Sequence, residues 1–203
     1  MNKEVNDLLD RQLASWETAR RNYDALSGVR VKELNVLGVP YKVQFNPARI
    51  VSSGAKVDAQ SIKERRCFLC AANRPAEQEG ILFRGHYEIL VNPFPIFPRH
   101  LTVPETDHLP QLIANRFADM LELARELTDF TIFYNGPRCG ASAPDHAHFQ
   151  AGSRGFMPIE ADWRTRIAET VVQTAHATLY SLNDAPRTTF VINTDDAGEA
   201  LSL

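Results

Sequence analysis

The sequence predicts an α+β fold. Two segments with helical periodicity and several strand-like runs support this prediction. Apolar residues recur at helical spacing over Glu4–Leu26 and again over Leu109–Leu127. Short runs of β-branched and aromatic residues, bounded by glycine and proline, lie between and after these segments. The 203 residues include 44% hydrophobic and 23% charged residues, an ordinary composition for a chain that can bury a sizeable core.

The first third of the chain predicts a helix, a hairpin and a linking loop. Residues Glu4–Leu26 form the predicted helix, because their apolar side chains share one helical face: Val5, Leu8, Leu9, Leu13 and Trp16. Val29–Phe45 predicts a β-hairpin, since two strand-like runs flank the turn sequence Leu-Gly-Val-Pro. Asn46–Arg66 is polar and contains Pro47 and Gly54, which predicts a mobile linking loop.

The remainder alternates predicted strands with two predicted helices. Leu109–Leu127 predicts an amphipathic helix, and Asp162–Leu182 predicts a second one. Strands are predicted as a pair or one bent strand over Ile81–Val91, as two strands joined by a proline-rich turn over Glu88–Pro104, and singly over Asp129–Tyr134 and Thr188–Asn193.

A run of alternating polar residues, Pro-Asp-His-Ala-His-Phe-Gln at 144–150, is the most informative motif. His146, His148 and Gln150 are spaced by two, so on a strand they would line one face, with neighbours roughly 6.5–7 Å apart. Imidazole can act as nucleophile, general base or metal ligand, and a carboxamide can donate hydrogen bonds to an oxyanion. The motif therefore favours a site that handles phosphate or metal over a purely structural strand.

The loop that precedes this motif has the composition of an anion-binding loop. Residues 135–144 read Asn-Gly-Pro-Arg-Cys-Gly-Ala-Ser-Ala-Pro, with a cation at Arg138 and a hydroxyl at Ser142. Backbone N–H groups of a glycine-rich loop can point together and cradle an anion. A buried strand, this loop and the His-x-His-x-Gln run together predict phosphoryl-type chemistry.

A Cys-x-x-Cys pair at Cys67 and Cys70 is ambiguous between zinc binding and redox chemistry. A structural zinc site needs four ligands, commonly two cysteines and two histidines, and His108 and His146 are available elsewhere in the chain. The polar sequence around the pair does not resemble a thioredoxin-like βαβ context, which favours zinc over redox chemistry. A pair that holds no metal stays open as a third alternative.

Charge and cysteine usage exclude several classes of protein. The formal net charge is −3, so the chain has no basic footprint for nucleic acid. No apolar stretch approaches the roughly 20 residues of a membrane span, and the N-terminal sequence has no hydrophobic signal region. Three cysteines, two of them in Cys-x-x-Cys, do not make a disulfide framework. We therefore expect a cytoplasmic location.

The loop and the motif together resemble the histidine-triad (HIT) superfamily. The likeness is to its transferase branch, which comprises galactose-1-phosphate uridylyltransferase, diadenosine tetraphosphate phosphorylase and GDP-L-galactose phosphorylase, and whose motif ends in glutamine. One departure is Asp145, which lies between Pro144 and the first histidine, where the uridylyltransferase pattern has none. The resemblance implies a HIT-like fold, an antiparallel β-sheet with helices packed on one face, plus an N-terminal helix.

The same resemblance implies a single HIT-like domain over residues 1–203. Its parts are an N-terminal helical arm over 1–28, a hairpin and loop over 29–66, and a HIT-like core over 67–193. Because the related transferases are longer, we expect either a truncated C-terminus at Leu203 or a minimal version of the fold.

Site residues follow from the resemblance position by position. The segment Glu88–Pro104 corresponds to the element that lines the nucleobase and ribose pocket, so Asn92, Phe94 and Phe97 are candidates, with core packing as the alternative for the phenylalanines. Phosphate contacts are implied for Asn135, Arg138, Gly140 and Ser142. The implied zinc ligands are Cys67, Cys70, His108 and His146, with His100 as an alternative third ligand.

The implied activity is nucleotidyl transfer or phosphorolysis through a covalent nucleotidyl-histidine. His148 is the implied nucleophile and Gln150 the implied partner that stabilises charge on phosphate oxygens. The substrates would be a nucleoside diphosphate sugar or dinucleoside polyphosphate, with inorganic phosphate or a sugar phosphate as acceptor. The alternatives are a HIT-type nucleotide hydrolase and a non-catalytic nucleotide- or zinc-binding module. A homodimer is compatible with the family, which includes both dimers and monomers.

Overall fold

The structure, a computed structural model, describes residues 1–49, 56–184 and 187–203. The chain divides into two compact units, one of Met1–Val29 and Asn46–Arg154, the other of Arg30–Phe45 and Gly155–Leu203. The predicted linking loop over Asn46–Arg66 falls partly outside the described residues, at 50–55, and its described part contains a short helix, Ala59–Glu64, that the sequence pattern did not predict. The single-domain organisation inferred from sequence stays a prediction.

The helices and strands follow one another along the chain in a mixed order. They are α1 (Asn2–Ser15), α2 (Glu17–Asp24), β1 (Arg30–Val36), β2 (Val39–Phe45), α3 (Ala59–Glu64), β3 (Gly80–Phe83), β4 (Tyr87–Val91), β5 (His100–Pro104), α4 (Phe117–Glu126), β6 (Phe130–Phe133), β7 (His148–Ser153), α5 (Pro158–Asp162), β8 (Ile167–Gln173), β9 (Ala177–Leu182), β10 (Thr189–Thr194) and α6 (Ala197–Ser202).

A five-stranded antiparallel sheet forms the centre of the first unit, in the order β3-β4-β5-β7-β6. The predicted strands over 81–91, 88–104 and 129–134 are therefore confirmed, and the first of them is a pair rather than one bent strand. The predicted N-terminal helix is also present, but Trp16 has extended backbone angles and divides it into α1 and α2.

One face of this sheet packs against helices and makes the main hydrophobic core. Val5, Leu8 and Leu9 of α1 and Leu123 of α4 join alternate strand residues in a single buried cluster, which includes Tyr87, Ile89, Val91, Leu101, Val103, Phe149 and Ala151. These strand residues alternate in sequence because successive side chains of a strand point to opposite faces. The predicted α+β fold class, with an antiparallel sheet and helices on one face, is confirmed. Within the described ranges, no helix has the length and apolar character needed to cross a membrane.

The helix predicted over Leu109–Leu127 begins only at Phe117, so the prediction is wrong for its first eight residues. The backbone there pairs with the chain before β7 instead of with itself. The Leu109 carbonyl accepts a hydrogen bond of 2.6 Å from the Ala147 N–H, and the Gln111 N–H donates to the Pro144 carbonyl at 3.4 Å. Long-range pairing therefore overrides a helical periodicity that continues into this segment.

The second unit contains the hairpin β1–β2 and a three-stranded antiparallel sheet in the order β10-β9-β8. The predicted hairpin and the predicted strand over Thr188–Asn193 are confirmed. The second helix predicted over Asp162–Leu182 is wrong, because β8 and β9 occupy most of it. Its run of β-branched residues packs better in a pleated strand than on a helix: Ile167, Thr170, Val171, Val172 and Thr178.

Candidate active site and metal centre

The sheet face opposite the helices carries a row of polar residues on β7 and β5. On β7 this face carries His148, Gln150 and Gly152. They pair in register with Pro104, Thr102 and His100 of β5. The predicted common face of His148 and Gln150 therefore follows from the alternation of β7. The prediction that His146 lies on the same strand face is wrong, because β7 begins at His148 and His146 lies in the turn before it.

The imidazole of His148 is buried and held by one of its two nitrogens. Its Nδ1 lies 2.8 Å from the backbone carbonyl oxygen of His146. Since a carbonyl only accepts, the proton of the neutral ring is on Nδ1 and the lone pair is on Nε2. Burial lowers the pKa of His148, a change that the hydrogen bond to the His146 carbonyl partly offsets. The ring is therefore neutral near pH 7, with Nε2 as a potential nucleophile.

Gln111 clamps the main chain of His148 from the neighbouring segment. Its side-chain oxygen accepts from the His148 N–H at 2.8 Å, and its amide donates to the His148 carbonyl at 3.0 Å. The same amide group donates to the Asn135 carbonyl at 2.9 Å, at the start of the predicted phosphate loop. Gln111 is only 1% exposed, so these partners are not replaced by water. Sequence reasoning missed this residue, because periodicity placed it inside a helix.

His100 orients the side chain of Gln150 and is not a metal ligand. The Ile96 N–H donates to Nδ1 of His100 at 3.1 Å, so the ring proton is on Nε2, which lies 3.1 Å from Oε1 of Gln150. This contact fixes the amide orientation and leaves the NH₂ group of Gln150 on the other side. Burial lowers the pKa of His100 to about 4, only partly offset by the hydrogen bond with Gln150. With both ring nitrogens engaged, His100 is excluded as the alternative third ligand.

The three candidates for a nucleobase and ribose pocket lie in the loop between β4 and β5. Asn92 donates to Oγ1 of Thr102 at 2.9 Å and accepts from the Phe94 N–H at 2.9 Å. Phe94 is half-buried. Phe97 is 4% exposed and lies against Gly152, where an added Cβ would come within 2.5 Å of its ring. Gly152 is thus required for the position of Phe97 beside the polar row.

The predicted phosphate loop runs from Asn135 to Pro144 and approaches a cavity at its end. Arg138 and Gly140 are exposed, and Gly140 has φ +88°, a conformation that favours glycine. Asn135 and Ser142 are half-buried. Ser142 lines a cavity of about 450 Å³ together with residues of the segment before and around the first cysteine: Lys56, Ser61, Glu64, Arg65 and Phe68.

Four residues from three separate segments converge in one potential metal centre. The ligand atoms of Cys67, Cys70, His108 and His146 all lie within 4.8 Å of one another. Nδ1 of His146 is 3.3 Å from Sγ of Cys67, and Nδ1 of His108 is 3.2 Å from Sγ of Cys70. Both cysteines are free thiols. Two sulfur and two imidazole ligands in mutual reach suit a tetrahedral metal ion.

Electrostatics at this centre shift the pKa values of the two cysteines in opposite directions. Burial raises the pKa of the Cys67 thiol, but its hydrogen bond with the His146 ring and those from backbone N–H groups outweigh this effect and bring the pKa down to about 6. Burial and the neighbouring Cys67 raise the pKa of Cys70. Nε2 of His146 lies 2.8 Å from the Glu105 carbonyl, so Nδ1 is the nitrogen that faces the sulfurs.

Comparisons with known proteins give one family and a set of distant structural neighbours. The profile of a family described as "Domain of unknown function (DUF4922)" matches residues 8–153. A search of curated proteins found no match.

The neighbours include crystal structures of the yeast Ap4A phosphorylase Apa2. In complex with Ap4A it is 16% identical with a TM-score of 0.47, and covers 84% of this chain and 66% of that chain. In complex with AMP it is 17% identical with a TM-score of 0.44, covering 86% of this chain and 64% of that one. A third structure of Apa2 is 18% identical with a TM-score of 0.41, covering 82% of this chain and 60% of that one. This chain therefore spans less than two thirds of these neighbours.

Proposed function

The chain belongs to the family described as Domain of unknown function (DUF4922), and we propose that it is a nucleotidyltransferase of the phosphorylase type. In this proposal it acts on a nucleoside diphosphate sugar or a dinucleoside polyphosphate. The reaction passes through a nucleotide bound covalently to His148. Inorganic phosphate or a sugar phosphate then accepts the nucleotidyl group.

One observation carries the proposal, namely the way the His148 ring is held. Nδ1–H is engaged by the His146 carbonyl at 2.8 Å, so the lone pair is on Nε2. Among the described residues, no side chain or backbone group forms a hydrogen bond with that nitrogen. A neutral imidazole with a pinned orientation is a competent nucleophile near neutral pH. The half-buried Gln150 lies two residues further along the same face of β7.

The proposed reaction consists of two displacements at the α-phosphorus. In the first, Nε2 of His148 forms a bond to phosphorus while the bond from phosphorus to the bridging oxygen breaks. The leaving group departs with that oxygen, as a sugar phosphate from a nucleoside diphosphate sugar or as a nucleotide from a dinucleoside polyphosphate. In the second, an oxygen of the acceptor phosphate bonds to the same phosphorus, and the P–Nε2 bond breaks to regenerate the imidazole. Two easier steps thus replace one difficult displacement.

Gln150 and the loop 135–144 would stabilise charge on the phosphate oxygens in both steps. The side-chain oxygen of Gln150 is engaged by His100, so its NH₂ group is the end that can donate. An amide does not titrate, so it neither protonates a leaving group nor takes a proton from an attacking water, which favours a phosphate acceptor over hydrolysis. We assign the same supporting role to Asn135, Arg138, Gly140 and Ser142.

For the nucleoside part of the substrate we propose the loop between β4 and β5. Phe94 and Asn92 are half-buried on this loop beside the polar sheet face. Phe97 was a candidate of equal standing from sequence. Its burial against Gly152 favours the alternative of core packing, in which it supports the pocket from behind.

We propose zinc as the ion at Cys67, Cys70, His108 and His146. The set of two thiolates and two imidazoles matches the closed four-ligand sites of structural zinc. When bound, the ion would supply structural cross-linking and no bond-making. His146 would be fixed as one of its ligands, and the backbone carbonyl of His146 holds the His148 ring. Free thiols at this centre also suit the reducing cytoplasm that we expect as the location.

The test is to trap the covalent intermediate. The protein is incubated with Ap4A, ADP-sugars and GDP-sugars without phosphate, and intact-mass spectrometry is used to seek a nucleotidyl adduct. We expect an adduct on the unaltered protein and none on His148→Ala. His176→Ala is the matched control, because His176 is an exposed histidine in the turn between β8 and β9. Gln150→Ala should slow adduct formation by about 10²–10³-fold, the usual effect of losing one preorganised donor.

The effect of added phosphate on the decay of the adduct then distinguishes nucleotidyl transfer from hydrolysis. If the adduct forms but decays equally fast with and without phosphate, the chain is a nucleotide hydrolase instead. If no substrate gives an adduct while nucleotides still bind, the catalytic proposal is wrong and a binding module remains.

A further inference from the structure

Asp145 is the residue by which this chain departs from the uridylyltransferase pattern, and it lies against the metal centre. It follows Pro144 and precedes the ligand His146. One carboxylate oxygen, Oδ1, is bonded to Nη2 of Arg65. The other, Oδ2, lies 3.5 Å from Nε2 of His108. A single carboxylate thus links an arginine with a histidine of the metal centre.

The two histidines of the metal centre have similar partners at corresponding ring nitrogens. Each turns Nδ1 toward cysteine sulfur, and each has an oxygen atom facing Nε2. For His146 the oxygen is the Glu105 backbone carbonyl, hydrogen-bonded at 2.8 Å, and for His108 it is the carboxylate of Asp145 at the ion-pair distance of 3.5 Å. An oxygen acceptor at the outer nitrogen fixes the ring tautomer and orientation and raises the basicity of the ligand nitrogen.

His108 needs such a partner more than His146 does. His146 is fully buried, so packing restricts its ring. The side chain of His108 is 45% exposed, and it lies beyond the end of β5 in a segment without regular structure. Packing alone therefore leaves the His108 ring more freedom, and Asp145 is the charged group that faces its outer nitrogen.

Arg65 holds Asp145 and reaches the cysteine loop as well. Its guanidinium carbon lies 5.3 Å from the ring centroid of Phe68, the residue that follows Cys67. The Arg65–Asp145 pair is mostly buried, with side-chain exposures of 21% and 18%. Nε and Nη1 of Arg65 are buried and have no hydrogen-bond partner among the described residues, so Asp145 is its polar anchor. The pair therefore connects the cysteine loop, His108 and the segment that carries His146.

We propose that Asp145 is a positioning residue that orients His108 as a metal ligand and sets the metal affinity of the centre, with Arg65 as its support. The inference rests on the proposed zinc site, and not on the proposed reaction. It assigns a role to the residue that the motif resemblance left without one. Loss of an outer partner of this kind typically weakens metal binding about 10- to 100-fold.

The experiment measures zinc affinity directly. The metal-free protein competes with a chromogenic chelator for Zn²⁺, and the same titration is run on Asp145→Asn and Asp107→Asn. Asp107 is the matched control, because it is an exposed aspartate next to His108 and its change removes the same charge. We expect affinity to fall about 10- to 100-fold in D145N and to stay near the original value in D107N.

Arg65→Gln provides a second variant in which the carboxylate remains. Without its anchor, Asp145 should hold His108 less firmly, so R65Q should lose affinity by a smaller factor than D145N. Circular dichroism of the metal-free proteins checks that each variant folds. Equal affinity in D145N and the unaltered protein overturns the proposal, and so does an equal loss in D107N. If the unaltered protein itself binds no zinc, the metal site fails together with this inference, whereas the adduct test on His148 is unaffected.

Discussion

At the scale of single residues, hydrogen-bond polarity decides what each histidine of this site can do. The His148 ring donates from Nδ1 to a carbonyl, which leaves the lone pair on Nε2. The His100 ring accepts at Nδ1 from the Ile96 N–H, which makes its Nε2 the donor to Gln150. Two neutral imidazoles on one sheet face thus have opposite tautomers and different tasks.

His100 should make the stability of the protein fall on acidification. Burial lowers its pKa from the ordinary 6.5 to about 4. Between these values the unfolded chain binds the proton and the folded chain does not, so stability is lost as the pH falls. We expect His100→Gln to remove about 2–3 kcal/mol of the stability difference between pH 7 and pH 4.5, at 1.36 kcal/mol per pH unit. Urea unfolding at both pH values measures this difference in unfolding free energy for each protein.

The control for this experiment is His176→Gln, which changes an exposed histidine. Its unfolding free energy should depend on pH as that of the unaltered protein does. If His100→Gln lost as much stability on acidification as the unaltered protein, His100 would not be the group that titrates.

These residues show what the sequence can predict of the site. The spacing of His148 and Gln150 is local, and strand alternation alone predicts their common face. The role of His100 is not local, because it depends on the pairing of β5 with β7, 50 residues apart along the chain. No periodicity encodes which strand lies beside which, so this contact needed the structure.

At the scale of elements, the two wrong predictions have different causes. Residues Leu109–Arg116 continue a helical pattern, yet their backbone pairs with the chain around Ala147. Asp162–Leu182 contains apolar residues at mixed spacing, and β-branched side chains decide for β8 and β9. In the first segment tertiary pairing wins over a weak local preference, whereas in the second the strand preference of β-branched residues is stronger than the helical periodicity.

The Gln111 clamp predicts a specific loss of order at the start of β7. Gln111→Ala leaves the His148 N–H and the carbonyls of His148 and Asn135 without their partners. A buried unsatisfied polar group costs about 1–3 kcal/mol, so the variant should lose at least that much unfolding free energy. Hydrogen exchange of the His148 amide should also accelerate. Urea unfolding and amide exchange followed by NMR measure both effects.

An exposed glutamine supplies the comparison for this variant. Gln173→Ala at the end of β8 should change stability by less than about 0.5 kcal/mol, as surface substitutions usually do. Unchanged exchange at His148 in Gln111→Ala would contradict the clamp.

The turn of the hairpin β1–β2 contains a residue in an unfavourable conformation. Leu37 and Gly38 have φ values of 53° and 87°, as in the two-residue turns for which Asn-Gly is preferred. Leu37 is 80% exposed, so replacing it loses little buried surface. We expect Leu37→Asn to raise the unfolding free energy by about 1 kcal/mol, because asparagine tolerates this region better than leucine. Thermal unfolding measures the gain, and Leu37→Val should instead destabilise the protein.

At the scale of the whole molecule, the metal centre joins parts of the chain that are far apart in sequence. Cys67 and Cys70, His108 and His146 come from three segments of the first unit. Spacing alone identified the cysteine pair and left zinc, redox and metal-free readings open. Only the family resemblance indicated which histidines complete the set, and the structure brings those four together.

Because the ion would bind the folded chain and find no such arrangement in the unfolded one, metal removal should lower stability. At a free Zn²⁺ concentration of 100 times the dissociation constant, binding stabilises the fold by about 2.7 kcal/mol. For a chain of this length that corresponds to about 5–10 °C in melting temperature. We therefore expect a chelator to lower the melting temperature by this amount and Zn²⁺ to restore it, in a thermal unfolding experiment.

Two cysteine variants distinguish the proposed centre from unspecific zinc binding. Cys70→Ala removes one of the four ligands and should abolish most of the zinc-dependent shift. Cys139→Ala removes the exposed thiol of the loop 135–144 and should leave the shift intact. A melting-temperature shift that depended on Cys139 and not on Cys70 would show that the ion binds elsewhere. Metal binding would then not hold His146, nor, through the His146 carbonyl, the ring of His148.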